Sequence, residues 1–242
     1  MSKNDHYILA HGLNVQPSVM QSLAEELGCA EDQSTIISLP GHAADETLHP
    51  DAAYRWLDSF RDQYQAAYER NQNIVFLGYS LGGLLMTYLL GDKQINQPRK
   101  QVLFAPALAF QQWTKIPTLI TTSTLDQIVI PSFTPKRFKA NSGVSLGAYK
   151  VLFQISRELN AMDPAHYNIP TLVLCDQRDE LVQPAGLRKF IVEKQLIEWK
   201  LYIVPSSPWE RLGKKHLLVA REYQSKAYWD EIRQQIDAFI HG

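Results

Sequence analysis

The stretch Asn73-Ile74-Val75-Phe76-Leu77-Gly78-Tyr79-Ser80-Leu81-Gly82-Gly83-Leu84-Leu85-Met86-Thr87-Tyr88-Leu89-Leu90 runs apolar, breaks at a serine between glycines, and resumes as an apolar, helix-like segment. A strand that turns sharply into a helix lifts the intervening hydroxyl to the sheet edge, where a neighbouring base can reach it. Gly78 and Gly82 leave room where a Cβ would collide with adjacent backbone, and the serine between them is expected in strained φ/ψ. Glycine-x-serine-x-glycine alone is a weak signal. Here the strand before it and the helix after it supply the required context, and the segment reads as a nucleophile elbow.

Outward from the elbow strand (73–77), apolar periodicity predicts strands over 6–10, 35–39, 101–104, 171–175 and 199–204. Between them lie helical spacings over 17–27, 52–70, 187–195 and 225–240. Short buried strands alternating with amphipathic helices imply an α/β fold whose mostly parallel sheet is covered on both faces. Loops at the strand C-terminal ends then carry the chemistry. The alternation fails between about 107 and 165, where Phe110, Trp113, Ile116, Leu119, Ile120, the run Ile128-Val129-Ile130, Phe138, Tyr149, Leu152, Phe153 and Leu159 fall between two sheet strands. This segment reads as an inserted cap over the active-site edge, with 1–106 and 166–242 as the core; Lys136-Arg137-Phe138-Lys139 reads as its solvated surface.

The 242 residues fit one sizeable α/β domain, and 24 Lys plus Arg against 25 Asp plus Glu give a net charge of -1. Bulk charge therefore selects neither nucleic acid nor an anionic membrane surface. The N-terminus is polar, its apolar stretch from Tyr7 to Ala10 is far short of a signal-peptide core, and no span reaches transmembrane length. The expectation is a cytoplasmic protein. Cys29 and Cys175 lack metal-ligand spacing and read as buried free thiols, and His11, His42 and His49 are not spaced as ligands, so neither metal nor cofactor is expected.

A nucleophilic serine needs a histidine to take its proton and a carboxylate to orient that histidine, and on this type of elbow the chain order is serine, acid, histidine. After Ser80 the acid that sits just past a strand end is Asp179, in Asp176-Gln177-Arg178-Asp179-Glu180-Leu181-Val182. Asp176 lies too close to the strand, and Glu180 is flanked as a surface residue would be. Beyond Asp179 only His216 and His241 remain; His241 trails the last helix, which leaves His216 as the base. Oxyanion donors are expected from the backbone N–H groups of Leu81, which follows the nucleophile, and Leu13, in the loop His11-Gly12-Leu13-Asn14 after the first strand. His11 reads as a brace for that loop.

Taken together, His11-Gly12-Leu13, Leu39-Pro40-Gly41-His42, Gly78-Tyr79-Ser80-Leu81-Gly82-Gly83, Ile169-Pro170-Thr171-Leu172-Val173-Leu174 and Asp179-Glu180-Leu181-Val182 resemble the α/β-hydrolase superfamily. Within it the likeness is to small carboxylesterases and monoacylglycerol lipases. The resemblance covers nearly the whole chain outside the insertion and implies an α/β-hydrolase fold, a lid made by the insertion, and Ser80, Asp179 and His216 as nucleophile, acid and base. It departs from the family pattern where Lys214-Lys215 directly precede His216 and where residues 206–212 lengthen the loop. The implied activity is hydrolysis of carboxylic esters through an acyl-enzyme; ester over amide rests on the resemblance alone. An apolar cap favours acyl chains or other hydrophobic acyl groups on a small-molecule ester, since each buried methylene is worth about 0.8 kcal/mol. The alternatives are an acyl thioesterase or amidase using the same triad, and a non-catalytic binding protein on a hydrolase scaffold.

Overall fold

The computed structural model describes residues 5–42, 48–71, 73–111, 125–132, 134–205 and 215–242. In chain order the elements are β1 (His6–Ala10), α1 (Ser18–Glu26), β2 (Ser34–Ile37), α2 (Pro50–Tyr54), α3 (Trp56–Arg70), β3 (Ile74–Tyr79), α4 (Leu81–Leu89) and β4 (Lys100–Phe104). They continue with β5 (Val129–Pro131), β6 (Gly143–Ser145), α5 (Leu146–Ala161), β7 (Thr171–Asp176), α6 (Pro184–Glu193), β8 (Trp199–Val204) and α7 (Lys226–His241). Six strands form one sheet in the order β2-β1-β3-β4-β7-β8, and every neighbouring pair is parallel. The chain has the parallel α/β sheet that its strand–helix alternation predicts, in the α/β-hydrolase arrangement that the resemblance implies.

Alternate side chains of each strand feed two separate cores, as the pleat requires. Ile8, Phe76, Leu103 and Val173 join the side that holds Trp56 and Phe60 of α3, Leu84 and Leu85 of α4, and Val151 and Ile155 of α5. Tyr7, Leu77, Phe104 and Leu174 point the other way, onto Met20 and Leu23 of α1 and Trp229, Ile232 and Ile236 of α7. Both faces of β3 are buried along its whole length, which explains why its sequence is a continuous apolar run and not an alternating one. α7 begins where the Ser225 hydroxyl accepts a hydrogen bond from the Tyr228 N–H at 3.2 Å.

The single helix expected over 52–70 is two: α2 and α3 meet at Arg55, whose backbone (φ -92, ψ -1) interrupts the spiral. Hydrophobic spacing runs unbroken across the join, so periodicity alone does not register it. Of the expected insertion, the described part contains the antiparallel hairpin β5–β6 and the helix α5. Trp113, Ile116, Leu119 and Ile120 lie outside the described residues, as does the lengthened loop 206–212. In the patch expected to be solvated, Lys136 and Arg137 are exposed, and Arg137 pairs with Glu222 and sits over the Phe138 and Tyr223 rings. Phe138 is buried. Among the described residues no helix is long and apolar enough to cross a membrane.

Candidate active site

β1, β3, β4, β7 and β8 end along one sheet border: Ala10 pairs with Gly78, Tyr79 with Phe104 and Asp176 with Val204, with β7 running past Leu174, the partner of Phe104. Ser80 stands immediately past β3 with φ 49 and ψ -108, a left-handed conformation that costs a non-glycine residue about 1–3 kcal/mol. The turn is held by its neighbours. The Ser80 N–H donates to the Phe104 carbonyl at 2.9 Å, its carbonyl accepts from Ala107 at 3.0 Å, and the Gly82 N–H donates to the His11 carbonyl at 3.0 Å. A Cβ on Gly82 would lie 2.5 Å from the Ala10 carbonyl oxygen, and one on Gly78 would lie 2.8 Å from the Gly83 Cα. Only glycine permits this approach of helix to strand.

The three side chains singled out in the sequence come together from separate loops. His216 Nε2 lies 3.0 Å from Ser80 Oγ, and its Nδ1 lies 2.9 Å from Asp179 Oδ2 and 3.1 Å from Oδ1. All three are buried. Asp179 Oδ1 also accepts from the backbone N–H groups of Leu181 and Val182, each at 2.8 Å, so the carboxylate cannot rotate away from the imidazole without losing two further bonds. Asp176, the rejected acid, is committed elsewhere: its Oδ2 accepts from the Tyr228 hydroxyl at 2.6 Å and its Oδ1 from the Arg178 N–H at 2.7 Å. Glu180 corrects the sequence reading. It is half-buried, not a free surface residue, and its carboxylate accepts from the backbone N–H groups of Lys215 at 3.0 Å and His216 at 2.7 Å. Lys215 is buried as well, its ammonium 5.4 Å from the centre of the Tyr228 ring. His241 ends α7 and is exposed.

Leu81 is the first residue of α4, where a helix leaves its N–H unpaired and positive. Among the described residues neither the Leu81 N–H nor the Leu13 N–H has a hydrogen-bond partner. The loop bearing Leu13 is strongly constrained by Asn14, which is buried with φ 54. The Asn14 N–H donates to His42 Nε2 at 2.9 Å, its carbonyl accepts from Ala140 at 3.2 Å, and its side chain exchanges two bonds with the Asn141 backbone at 2.8 and 3.0 Å. Nothing near Asn14 in the sequence signals this clasp, because its partner lies in the insertion.

His11 braces the same loop. Its Nδ1 lies 3.0 Å from the Gly12 carbonyl, which fixes the proton there, and its Nε2 accepts from the Leu39 N–H at 3.1 Å. His42 repeats the pattern, with Nδ1 on the Pro40 carbonyl and Nε2 accepting from Asn14. Each nitrogen of both rings is thereby occupied by backbone, and among the described residues no three His, Cys, Asp or Glu side chains gather as a metal ligand set. Burial pushes His11 down to about 3, helped by the neighbouring His42, and burial pushes His42 down to about 4 against the pull of its backbone carbonyls. Unfolding releases both to an ordinary value near 6.5, so the unfolded chain binds protons first as the pH falls. Stability is therefore complete above about pH 6.5 and is lost progressively toward pH 4, by about 1.4 kcal/mol per pH unit for each ring. Urea midpoints that stay constant between pH 7 and pH 5 would show that these imidazoles are not buried in the neutral form.

A cavity of about 610 Å³ opens onto Ser80 and His216, walled by Phe110, Val144, Tyr149, Leu152 and Phe153. Phe110 and Phe153 meet edge to face at 4.6 Å, and a bridge from Phe110 to Val182 ties this wall to the acid loop.

The profile of the family described as serine aminopeptidase, S33, matches residues 3–205. No curated protein sequence matches the chain. Among solved structures, a monoacylglycerol lipase from Paleococcus ferrophilus is 17% identical with a TM-score of 0.71, covering 98% of this chain and 94% of that one. A soluble variant of monoglyceride lipase from Saccharomyces cerevisiae, in complex with a substrate analogue, is 14% identical with a TM-score of 0.73, covering 100% and 88%. A structure reported with the metagenome-derived lipolytic enzymes LipS and LipT is 17% identical with a TM-score of 0.69, covering 98% and 94%. Identities this low establish a shared fold, while the family match extends over most of the chain. By that match, this chain belongs to the S33 serine aminopeptidase family of α/β hydrolases.

Proposed function

We propose that the protein is a serine esterase that cleaves small hydrophobic carboxylic esters through an acyl-enzyme, with Ser80 as nucleophile, His216 as base and Asp179 as the orienting acid. The observation that carries this reading is the unbroken line Ser80 Oγ, His216 Nε2, His216 Nδ1, Asp179 Oδ2, with contacts of 3.0 and 2.9 Å. His216 Nε2 takes the hydroxyl proton as Oγ attacks the ester carbonyl, and the N–H groups of Leu13 and Leu81 receive the oxyanion. The imidazolium then protonates the departing alkoxide, leaving the acyl group on Ser80. Water enters, gives its proton to His216 and attacks the acyl carbon; the acid departs and Ser80 regains its proton.

Residues 107–165 serve in this reading as the cap that shapes the acyl site. Its described portion contributes Val144, Tyr149, Leu152 and Phe153 to the cavity wall. The lipases that share the fold agree with such a substrate. Aminopeptidase action, which the family description names, calls for an anion to hold the substrate's α-ammonium group. Among the described residues lining the cavity the one carboxylate is Glu180, and it is already committed to two main-chain N–H groups. A panel of p-nitrophenyl esters from acetate to laurate tests the proposal. Turnover is expected, with kcat/KM rising by up to about fourfold per added methylene until the cavity is full. Preferential cleavage of aminoacyl nitroanilides, with no ester turned over, would replace it with the peptidase reading.

A further inference from the structure

We infer that Glu180 is a positioning residue for the base: its carboxylate clamps the main chain of His216 while its neighbour Asp179 orients the ring. This rests on the assignment of His216 as the base. Two consecutive side chains of one loop thus hold one histidine at two different places. Asp179 receives the ring proton on Nδ1, and Glu180 receives the backbone N–H groups of Lys215 and His216 on separate oxygens, at 3.0 and 2.7 Å.

The physical need for a second hold follows from what the ring contact leaves free. A hydrogen bond at Nδ1 sets the tautomer and one direction, but the imidazole can still pivot about that bond or shift with its backbone. Nε2 must stay within hydrogen-bond reach of Ser80, and a misplacement of about 1 Å can cost about 10²-fold in rate. Among the described residues, the remaining backbone tie of His216 is its carbonyl, which accepts from Leu218 at 2.9 Å. The N-terminal side of the residue is therefore held by Glu180. A carboxylate is suited to this, because its charge strengthens both bonds and its two oxygens match two successive peptide N–H groups.

The acid loop is itself secured. The Gln111 N–H donates to the Leu181 carbonyl at 2.9 Å, the Gln111 side chain donates to the Asp179 carbonyl at 3.1 Å, and the Gln183 N–H donates to the Ala109 carbonyl at 2.9 Å. Any shift of the His216 backbone is thus resisted by the same rigid segment that carries Asp179.

Glu180→Ala and Glu180→Gln, compared with the unaltered chain, test the inference. Gln keeps one acceptor oxygen of the same reach and Ala keeps none. Glu180→Ala is expected to lose about 10- to 100-fold in kcat on p-nitrophenyl butyrate with KM changed less than about threefold, and Glu180→Gln is expected to recover part of the loss. Fluorophosphonate labelling of Ser80 should slow in parallel, and hydrogen exchange at the Lys215 and His216 amides should accelerate in both variants. A Glu180→Ala protein with kcat within about twofold of the unaltered chain, or with undiminished amide protection, overturns the clamp. So does a rate loss that lies wholly in KM, which would make Glu180 part of the substrate wall. Failure of the unaltered chain to label with the fluorophosphonate is a different result: it overturns the serine-hydrolase reading, and the amide exchange still reports whether the clamp exists. If Glu180→Ala does not fold, the Glu180→Gln protein decides by the same rate and exchange measurements.

Discussion

Ser80→Ala is expected to lower kcat for p-nitrophenyl esters by about 10⁶ while altering folding stability by about 1 kcal/mol or less. The size of the rate effect follows from covalency. On the proposed mechanism, no acyl-enzyme forms without Oγ, and what remains is the modest assistance that the proposed oxyanion donors and bound water give to direct hydrolysis. The small stability effect follows from the structure: the described hydrogen bond of the Ser80 side chain is the one to His216 Nε2, while the turn is held by backbone bonds from Ser80 and Gly82 that alanine retains. Thermal unfolding, steady-state turnover and fluorophosphonate labelling of the purified variant measure all three consequences. Substantial turnover by a well-folded Ser80→Ala protein would remove the nucleophile from the mechanism.

The second large effect is expected at Asp179→Asn, about 10⁴ in kcat, and it has a specific geometric cause. The Oδ1 position accepts from the Leu181 and Val182 N–H groups, so the substituted amide must place its oxygen there. Its NH₂ group then occupies the Oδ2 position, 2.9 Å from His216 Nδ1. A donor there requires an acceptor on the ring, which moves the imidazole proton to Nε2 and turns it toward Ser80. The ring would stay in place in the wrong tautomer. A crystal structure with unchanged ring position, together with the rate loss, is the expected pair of observations; an undiminished rate would show that Asp179 does not set the tautomer.

How much of this was legible without coordinates differs from residue to residue. The elbow is a local object, since a strand, a turn and a helix meet within a few residues and the glycines mark where backbone must approach backbone. The strand–helix alternation is likewise local, and with it the parallel sheet and the border where its loops gather. Asp179 could be preferred over Asp176 because it stands past the end of β7, and His216 because so few histidines follow it. The interruption of α2 and α3 at Arg55 was not legible, because the apolar spacing does not change there while the backbone does. Glu180 was misread for a related reason: its surroundings in the sequence are those of a surface side chain, and the N–H groups that occupy it lie 35 and 36 residues away.

The amino-acid sequence by itself determined the α/β class and the strained turn at Ser80, because each depends on periodicity or on steric needs within a few neighbouring residues. Tertiary structure alone decided how the histidine is held and what shapes the loop opposite it. The Glu180 clamp and the clasp of Asn14 with Asn141, 127 residues apart, join groups that no spacing rule connects. A backbone N–H or carbonyl carries no residue identity, so the partner it finds across the fold leaves no mark in the sequence that supplies it.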